Sequence, residues 1–108
     1  MAYNLKLAEL IRAELGGLPF VEKKMFGGVG FLIGGNMACG VYKDDMIVRL
    51  DPEKQDSLLK KPGARVFDIT GKPMQGWLMI EQEGCKTKKQ LSTWVKEGVA
   101  FASTLPAK

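Results

Sequence analysis

The chain has 108 residues, of which 45% are hydrophobic and 26% are charged, a balance typical of one globular domain rather than a disordered chain. It has no histidine, which excludes Ser-His-Asp and Cys-His catalysis, and its two cysteines are too few for a four-thiolate metal site. Sixteen Lys and Arg residues against twelve Asp and Glu give a net charge of +4, which is mildly basic.

The N-terminal segment mixes acidic and basic residues, which is unlike a secretory signal, so we expect a cytoplasmic protein whose cysteines are free thiols. The same segment predicts a helix of about fifteen residues, because its apolar residues recur at a helical spacing. Gly16 and Gly17 are expected to end this helix, and Pro19 prevents it from resuming. The predicted buried stripe consists of Leu7, Leu10, Ile11 and Leu15.

Residues 23–50 consist of short apolar runs rich in β-branched and aromatic side chains, which are typical of strands. Two short polar or glycine-rich segments separate the runs, Gly34-Gly35-Asn36 and Lys43-Asp44-Asp45. Both are suited to tight turns because Gly, Asn and Asp tolerate positive φ. We therefore predict three antiparallel strands in a meander over this part of the chain.

The second half of the chain predicts a short helix that begins at Asp51-Pro52-Glu53, two further strands over residues 65–70 and 77–81, and a final helix. Thr87 and Gln90 have the capping-box spacing at the start of that final helix. The order α-β-β-β-α-β-β-α predicts an α+β fold, with a single antiparallel sheet and helices packed on one face. The predicted buried stripe of the last helix is Leu91, Trp94, Val95, Gly98, Ala102 and Leu105.

Basic residues cluster in two segments of the sequence. Residues 60–72 carry four basic residues against one acid, residues 86–96 carry four lysines and no acid, and residues 44–56 carry five acids. If the two basic segments meet in space they form a positive face, and otherwise they are solvated lysines that keep a small protein in solution. The candidate basic interaction face consists of Lys60, Lys61, Arg65, Lys86, Lys88 and Lys89.

Other candidate chemistry is sparse. The run Gly27-Gly28-Val29-Gly30 lacks the spacing of a dinucleotide-binding loop, which would need a glycine at Ile33. Cys85 precedes the predicted final helix among lysines, which would stabilise a thiolate, but without a histidine or a resolving cysteine we expect an incidental surface thiol. Cys39 is predicted to be a small buried hydrophobe. The sequence therefore predicts no catalytic residues, no cofactor and no metal.

Several motifs, in the order in which they occur along the chain, resemble those of a known family. K-M-F-G-G-V-G-F at residues 24–31, P-G-A at 62–64 and K-P-M-Q-G-W at 72–77 resemble the N-terminal domain of the TfoX/Sxy proteins, which are bacterial regulators of natural competence. The resemblance spans roughly residues 7–103 and implies a cytoplasmic bacterial α+β protein, with residues 1–108 as a single TfoX N-terminal-like domain. It also implies a role like that of the regulator-type members, which act as co-activators with the cyclic-AMP receptor protein, and it brings no catalytic residues.

Three hypotheses about function follow. The first is a non-enzymatic protein-interaction or regulatory domain, accessory to transcription or competence regulation, whose partner is a protein, with the transcription machinery as one candidate. In this hypothesis nucleic-acid contact is weak or indirect, and no membrane is involved. The alternative is direct nucleic-acid binding through the candidate basic interaction face. The third is an unidentified enzyme with a reactive Cys85.

Overall fold

A six-stranded antiparallel sheet organises the described part of the chain, which comprises residues 3–25, 27–68, 71 and 74–106 of a computed structural model. The strands are β1 (Val21–Met25), β2 (Gly28–Ile33), β3 (Asn36–Tyr42), β4 (Asp45–Arg49), β5 (Ala64–Val66) and β6 (Trp77–Ile80). The helices are α1 (Leu5–Leu15), α2 (Gln55–Leu58, after a 3₁₀ turn at Pro52–Lys54), α3 (Gln82–Cys85) and α4 (Lys88–Thr104). The order across the sheet is β1-β2-β3-β4-β6-β5.

The main core lies between the helices and one face of the sheet, which confirms the predicted α+β architecture. Helix α4 contacts β2, β3 and β4, and α1 packs against α4 and β3. Ile11 of α1, Phe31 of β2 and Trp94 of α4 are all buried in this core. Such burial removes apolar surface from water and is the dominant favourable contribution to folding. None of the described helices is long and apolar enough to cross a membrane.

Side chains that alternate with those of the main core form a second, smaller cluster on the opposite face of the sheet. Met37, Ile47, Phe67 and Met79 are buried there, and Trp77 packs against them with its ring centroid 5.8 Å from that of Phe67. Phe67 follows β5, so part of the segment between β5 and β6 covers this face. Both faces of the central strands are consequently buried.

Local signals at the ends of elements are confirmed. Gly34 and Gly35 have φ of 59° and 84°, which gives the predicted tight turn between β2 and β3. Helix α4 begins with a complete capping box, in which Thr87 accepts from the Gln90 backbone N–H and Gln90 accepts from the Thr87 N–H. Its predicted stripe is buried from Leu91 to Ala102, whereas Leu105 follows the helix and is only half-buried.

The structure differs from the predicted elements in three details. The region 21–50 holds four strands rather than three, because the polar segment β1 pairs with β2 along its whole length. The short helix α3 was not predicted. The strand predicted over 65–70 ends at Val66, and Ile69 and Thr70 lie outside the described residues.

Helix α1 is shorter than predicted, with 11 residues, and it buries a different face. Ala8 is buried and Leu10 is 45% exposed. The buried positions Leu7, Ala8, Ile11 and Leu15 fall on one side of the helix, and at 3.6 residues per turn Leu10 lies roughly 115° from the middle of that side. Leu10 therefore projects from the edge of the core instead of into it.

Candidate interaction surfaces

The structure divides the candidate basic interaction face among different environments. Lys61 and Lys89 line one cleft, so the two basic segments meet at these residues. Lys86 and Lys88 line a groove on another side of the first turns of α4. Arg65 lies on β5 among carboxylates, and Lys60 is exposed after α2. Basic residues that are close in the sequence therefore lie on different surfaces of the domain.

The cleft lined by Lys61 and Lys89 has a volume of about 200 Å³ and an aromatic side chain as part of its wall. The Lys61 Nζ lies 5.8 Å from the centroid of the Trp94 ring, at the distance of a cation–π contact. The Trp94 Nε1–H donates to the backbone carbonyl of Gly84 at 3.1 Å, which fixes the ring. The Lys61 ammonium beside this ring and Lys89 in the same lining make the cleft attractive to an anion.

Arg65 is surrounded by acidic side chains. One guanidinium nitrogen lies 2.9 Å from Asp45, and others lie 3.7 Å from Asp68 and 3.6 Å from Glu81. Because the guanidinium already faces these carboxylates, it is a poor phosphate ligand in this conformation. The residue predicted as part of a basic face therefore lies in a mixed-charge cluster.

Two adjoining cavities form a groove between α1 and the junction of α3 and α4, which we call the α1 groove. Their volumes are about 180 and 270 Å³, and both are lined by Leu10, Cys85 and Lys86. The other lining residues are Asn4, Lys6, Leu7, Asp44 and Gln82 in the first cavity, and Ala13, Glu14, Thr87, Lys88 and Leu91 in the second.

The α1 groove combines an apolar floor with a basic rim, in which three lysines outnumber the two lining carboxylates, Asp44 and Glu14. Leu7 and Leu91 are buried beneath it, whereas Leu10 is 45% exposed beside it. Lys6, Lys86 and Lys88 are exposed, and within the part of the chain that the structure describes no carboxylate lies within ion-pair distance of them. These lysine charges are available to a ligand, and the exposed leucine is available to an apolar group.

The model of the TfoX N-terminal domain family matches residues 13–102, which is most of the 108-residue chain. The chain belongs to this family. Searches of curated proteins and of solved structures gave no match. The matched range includes most of the second cavity of the α1 groove, whereas Leu10 precedes the range.

The thiols of this TfoX N-terminal domain are both buried, which corrects the prediction for Cys85. Cys85 is only 5% exposed, and its Sγ lies 3.6 Å from the carbonyl oxygen of Glu81. Burial, assisted by the negative charge of Asp45, raises the pKa of Cys85 to about 11. The neighbouring lysines do not produce the low pKa that a nucleophilic thiol needs. Cys39 is buried as predicted, and burial raises its pKa to about 12.

We therefore expect both thiols of the folded domain to resist alkylation. At pH 8, iodoacetamide should modify Cys39 and Cys85 at least about a hundred times more slowly than in the urea-unfolded chain, because a pKa raised from the ordinary value of about 8.5 leaves far less reactive thiolate. Since folding raises both pKa values, the fold disfavours the thiolates, and stability should fall as the pH rises above about 8.5. Mass spectrometry of timed samples measures the rates. Rapid modification of folded Cys85 would support the reactive-thiol hypothesis.

Among the described residues, no group of three or more Cys, Asp, Glu or His side chains is placed to hold a metal ion. The buried side-chain nitrogen and oxygen atoms of those residues all have hydrogen-bond partners. Two surface features of the described residues are suited to a ligand by their charge, namely the α1 groove and the cleft at Lys61 and Lys89.

Proposed function

We propose that this TfoX N-terminal domain is a cytoplasmic, non-enzymatic protein-interaction domain that acts as an accessory to transcription. In this proposal the α1 groove binds an acidic segment of a protein partner, and apolar side chains of that segment cover Leu10. The observation that carries the proposal is the half-exposed Leu10 beside a basic rim, at a groove whose floor is apolar.

The physical basis of this binding is the pairing of an apolar anchor with complementary charge. A partner side chain that removes Leu10 from water gains roughly 25 cal/mol per Å² of apolar area. The rim lysines attract carboxylates, which accelerates association and orients the segment. Peptides that lay an apolar face into a groove with charged edges are a recurring mode of recognition.

The transcription role rests on family membership. Regulator-type members of the TfoX family act as co-activators with the cyclic-AMP receptor protein, and such a role requires a surface that engages another protein. The α1 groove is suited to that task because its chemistry favours an acidic and apolar protein segment.

A matched pair of leucine variants tests the proposal. Leu5 and Leu10 both lie on α1 and have similar exposure, 48% and 45%, but Leu5 does not line the groove. We expect Leu10→Glu to weaken binding of a fluorescein-labelled peptide rich in Glu and Leu by about tenfold or more, because it removes an apolar anchor. Leu5→Glu should leave binding unchanged. Fluorescence anisotropy measures the affinity, and a peptide with Lys in place of each Glu is the ligand control. Equal losses in both variants would contradict the proposal.

Direct nucleic-acid binding is the alternative, and the proposal predicts that it is weak. If only Lys61 and Lys89 contact phosphates, the slope of log affinity against log salt is roughly −2, at about −0.9 per contact. We expect non-specific dissociation constants of about 10⁻⁴–10⁻⁶ M at physiological salt, measured by anisotropy with duplex and single-stranded probes. Sub-micromolar, sequence-selective binding that Lys88→Glu with Lys89→Glu abolishes would favour the alternative.

A further inference from the structure

Strand β1 leaves one side of its backbone without a partner. It lies at an edge of the sheet, so no strand within the described residues pairs with its outer N–H and C=O groups. The opposite edge strand, β5, has only three residues, and its Arg65 faces three carboxylates. By contrast β1 has five residues, and its Val21 is 65% exposed.

We infer that two copies of this chain associate through their β1 strands, which pair antiparallel about a two-fold axis. The pairing joins two six-stranded sheets into one continuous sheet. It satisfies backbone groups that are otherwise left to water, and it places the exposed Val21 of each copy beside the strand of the other.

The geometry of antiparallel pairing limits the possible registers. Backbone hydrogen-bonding groups alternate between the two sides of a strand, so the outward-facing residues of one copy must lie opposite those of the other. For a two-fold axis within the middle of β1, this leaves the registers in which Glu22, Lys23 or Lys24 lies opposite itself. A two-fold axis that passes between two residues would place backbone groups that point toward the second copy opposite groups that point away from it.

The charges of β1 select one of these registers. Centring on Lys23 places each Glu22 opposite Lys24 of the second copy and uses all five residues of the strand. This register places the two Lys23 side chains opposite each other, which is unfavourable, but it also forms two attractive pairs between Glu22 and Lys24. Centring on Glu22 opposes two carboxylates, and centring on Lys24 opposes two ammonium groups. The sequence of β1 is therefore self-complementary only about Lys23.

Within each copy, Arg12 of α1 already forms an ion pair with Glu22. This contact holds the Glu22 carboxylate over the helix-bearing face of the sheet, where Lys24 of the second copy would also lie, because residues 22 and 24 share that face. The α1 groove is lined by no residue of β1, so self-association and peptide binding are separate properties.

Single-cysteine variants report the register directly. In the proposed register the Cα atoms of the two Lys23 residues lie about 4.5–5.5 Å apart, within the range that a disulfide spans. Lys23→Cys should therefore form a disulfide-linked dimer of twice the 11.9 kDa chain mass on mild oxidation, and the buried native cysteines give little background. Glu22→Cys and Lys24→Cys should each fail alone but cross-link when mixed. A cross-link of either variant with itself, or none with Lys23→Cys, would overturn the inference.

Charge exchange provides a test that needs no oxidant. By light scattering at increasing concentration the unmodified chain should approach twice the monomer mass. Lys24→Glu should weaken the dimer by about tenfold or more, because two attractive cross-strand pairs become repulsive. Arg12→Glu and Glu22→Lys together with Lys24→Glu should restore association, because the cross-strand pairs and the pair between residues 12 and 22 are then all complementary. A chain that stays monomeric at all concentrations, or a triple variant no better than Lys24→Glu, would contradict the inference.

Discussion

Replacing Trp94 with alanine is expected to lower the free energy of unfolding by about 3–5 kcal/mol, the range typical of truncating a large buried aromatic side chain. Trp94 is 2% exposed and lies in the core between α4 and the sheet. The substitution also removes the Nε1–H that donates to the Gly84 carbonyl at 3.1 Å. Because domains are stable by only about 5–15 kcal/mol, this loss is a large fraction of the total.

Urea denaturation followed by circular dichroism measures the effect, and Trp94→Phe separates its two causes. Phenylalanine retains most of the apolar ring but lacks the donor, so we expect the smaller loss of roughly 1 kcal/mol that follows from breaking one hydrogen bond. If Trp94→Ala left the midpoint of urea denaturation unchanged, Trp94 would lie outside the core. It would then be a candidate for contact with a ligand.

Gly98→Ala is expected to destabilise the domain, although alanine is the better helix former by about 1 kcal/mol. Gly98 lies where α4 crosses β3, and a Cβ built there falls 2.2 Å from the backbone oxygen of Ala38. Backbone cannot move aside as a flexible side chain can, so the helix must shift from the sheet. Overpacking of this kind typically costs about 1–3 kcal/mol.

Gly17→Ala is the matched control for this prediction. A Cβ at Gly17 meets no atom within 4 Å, and the residue follows α1 at an exposed position. We expect a change of a few tenths of a kcal/mol, or a slight stabilisation through the unfolded state. The midpoint of urea denaturation compares the two variants. A stabilised Gly98→Ala would contradict the close approach of α4 to β3.

Local sequence patterns account for most of the fold. The capping box at Thr87 and Gln90 and the tight turn at Gly34 and Gly35 act over a few residues, so the sequence alone predicts them. Strand β1 was missed because it is rich in charge, with Glu22, Lys23 and Lys24 in a row. An edge strand tolerates such residues because one of its sides is open to water, which weakens the usual hydrophobic signal.

The surface was less predictable because it depends on contacts that are distant in sequence. Arg65 faces Asp45 and Glu81 only because β5 pairs with β6 and β6 pairs with β4. The burial of Cys85 depends on α3, a helix of four residues that has little hydrophobic periodicity of its own. Leu10 has helical spacing with the buried residues of α1, and only the placement of the helix on the sheet shows that it borders a groove.

Photo-crosslinking in the native cell tests most directly whether a protein, rather than a nucleic acid, occupies the α1 groove. The photoreactive residue p-benzoyl-phenylalanine is incorporated in place of Leu10, with the same replacement of Leu5 as the control, since both side chains are half-exposed on α1. We predict a discrete adduct at position 10 that protease removes and nuclease does not. That adduct should be absent at position 5, and it should disappear when Lys86→Glu and Lys88→Glu reverse the rim charge. A nuclease-sensitive adduct, or identical adducts at both positions, would contradict the account.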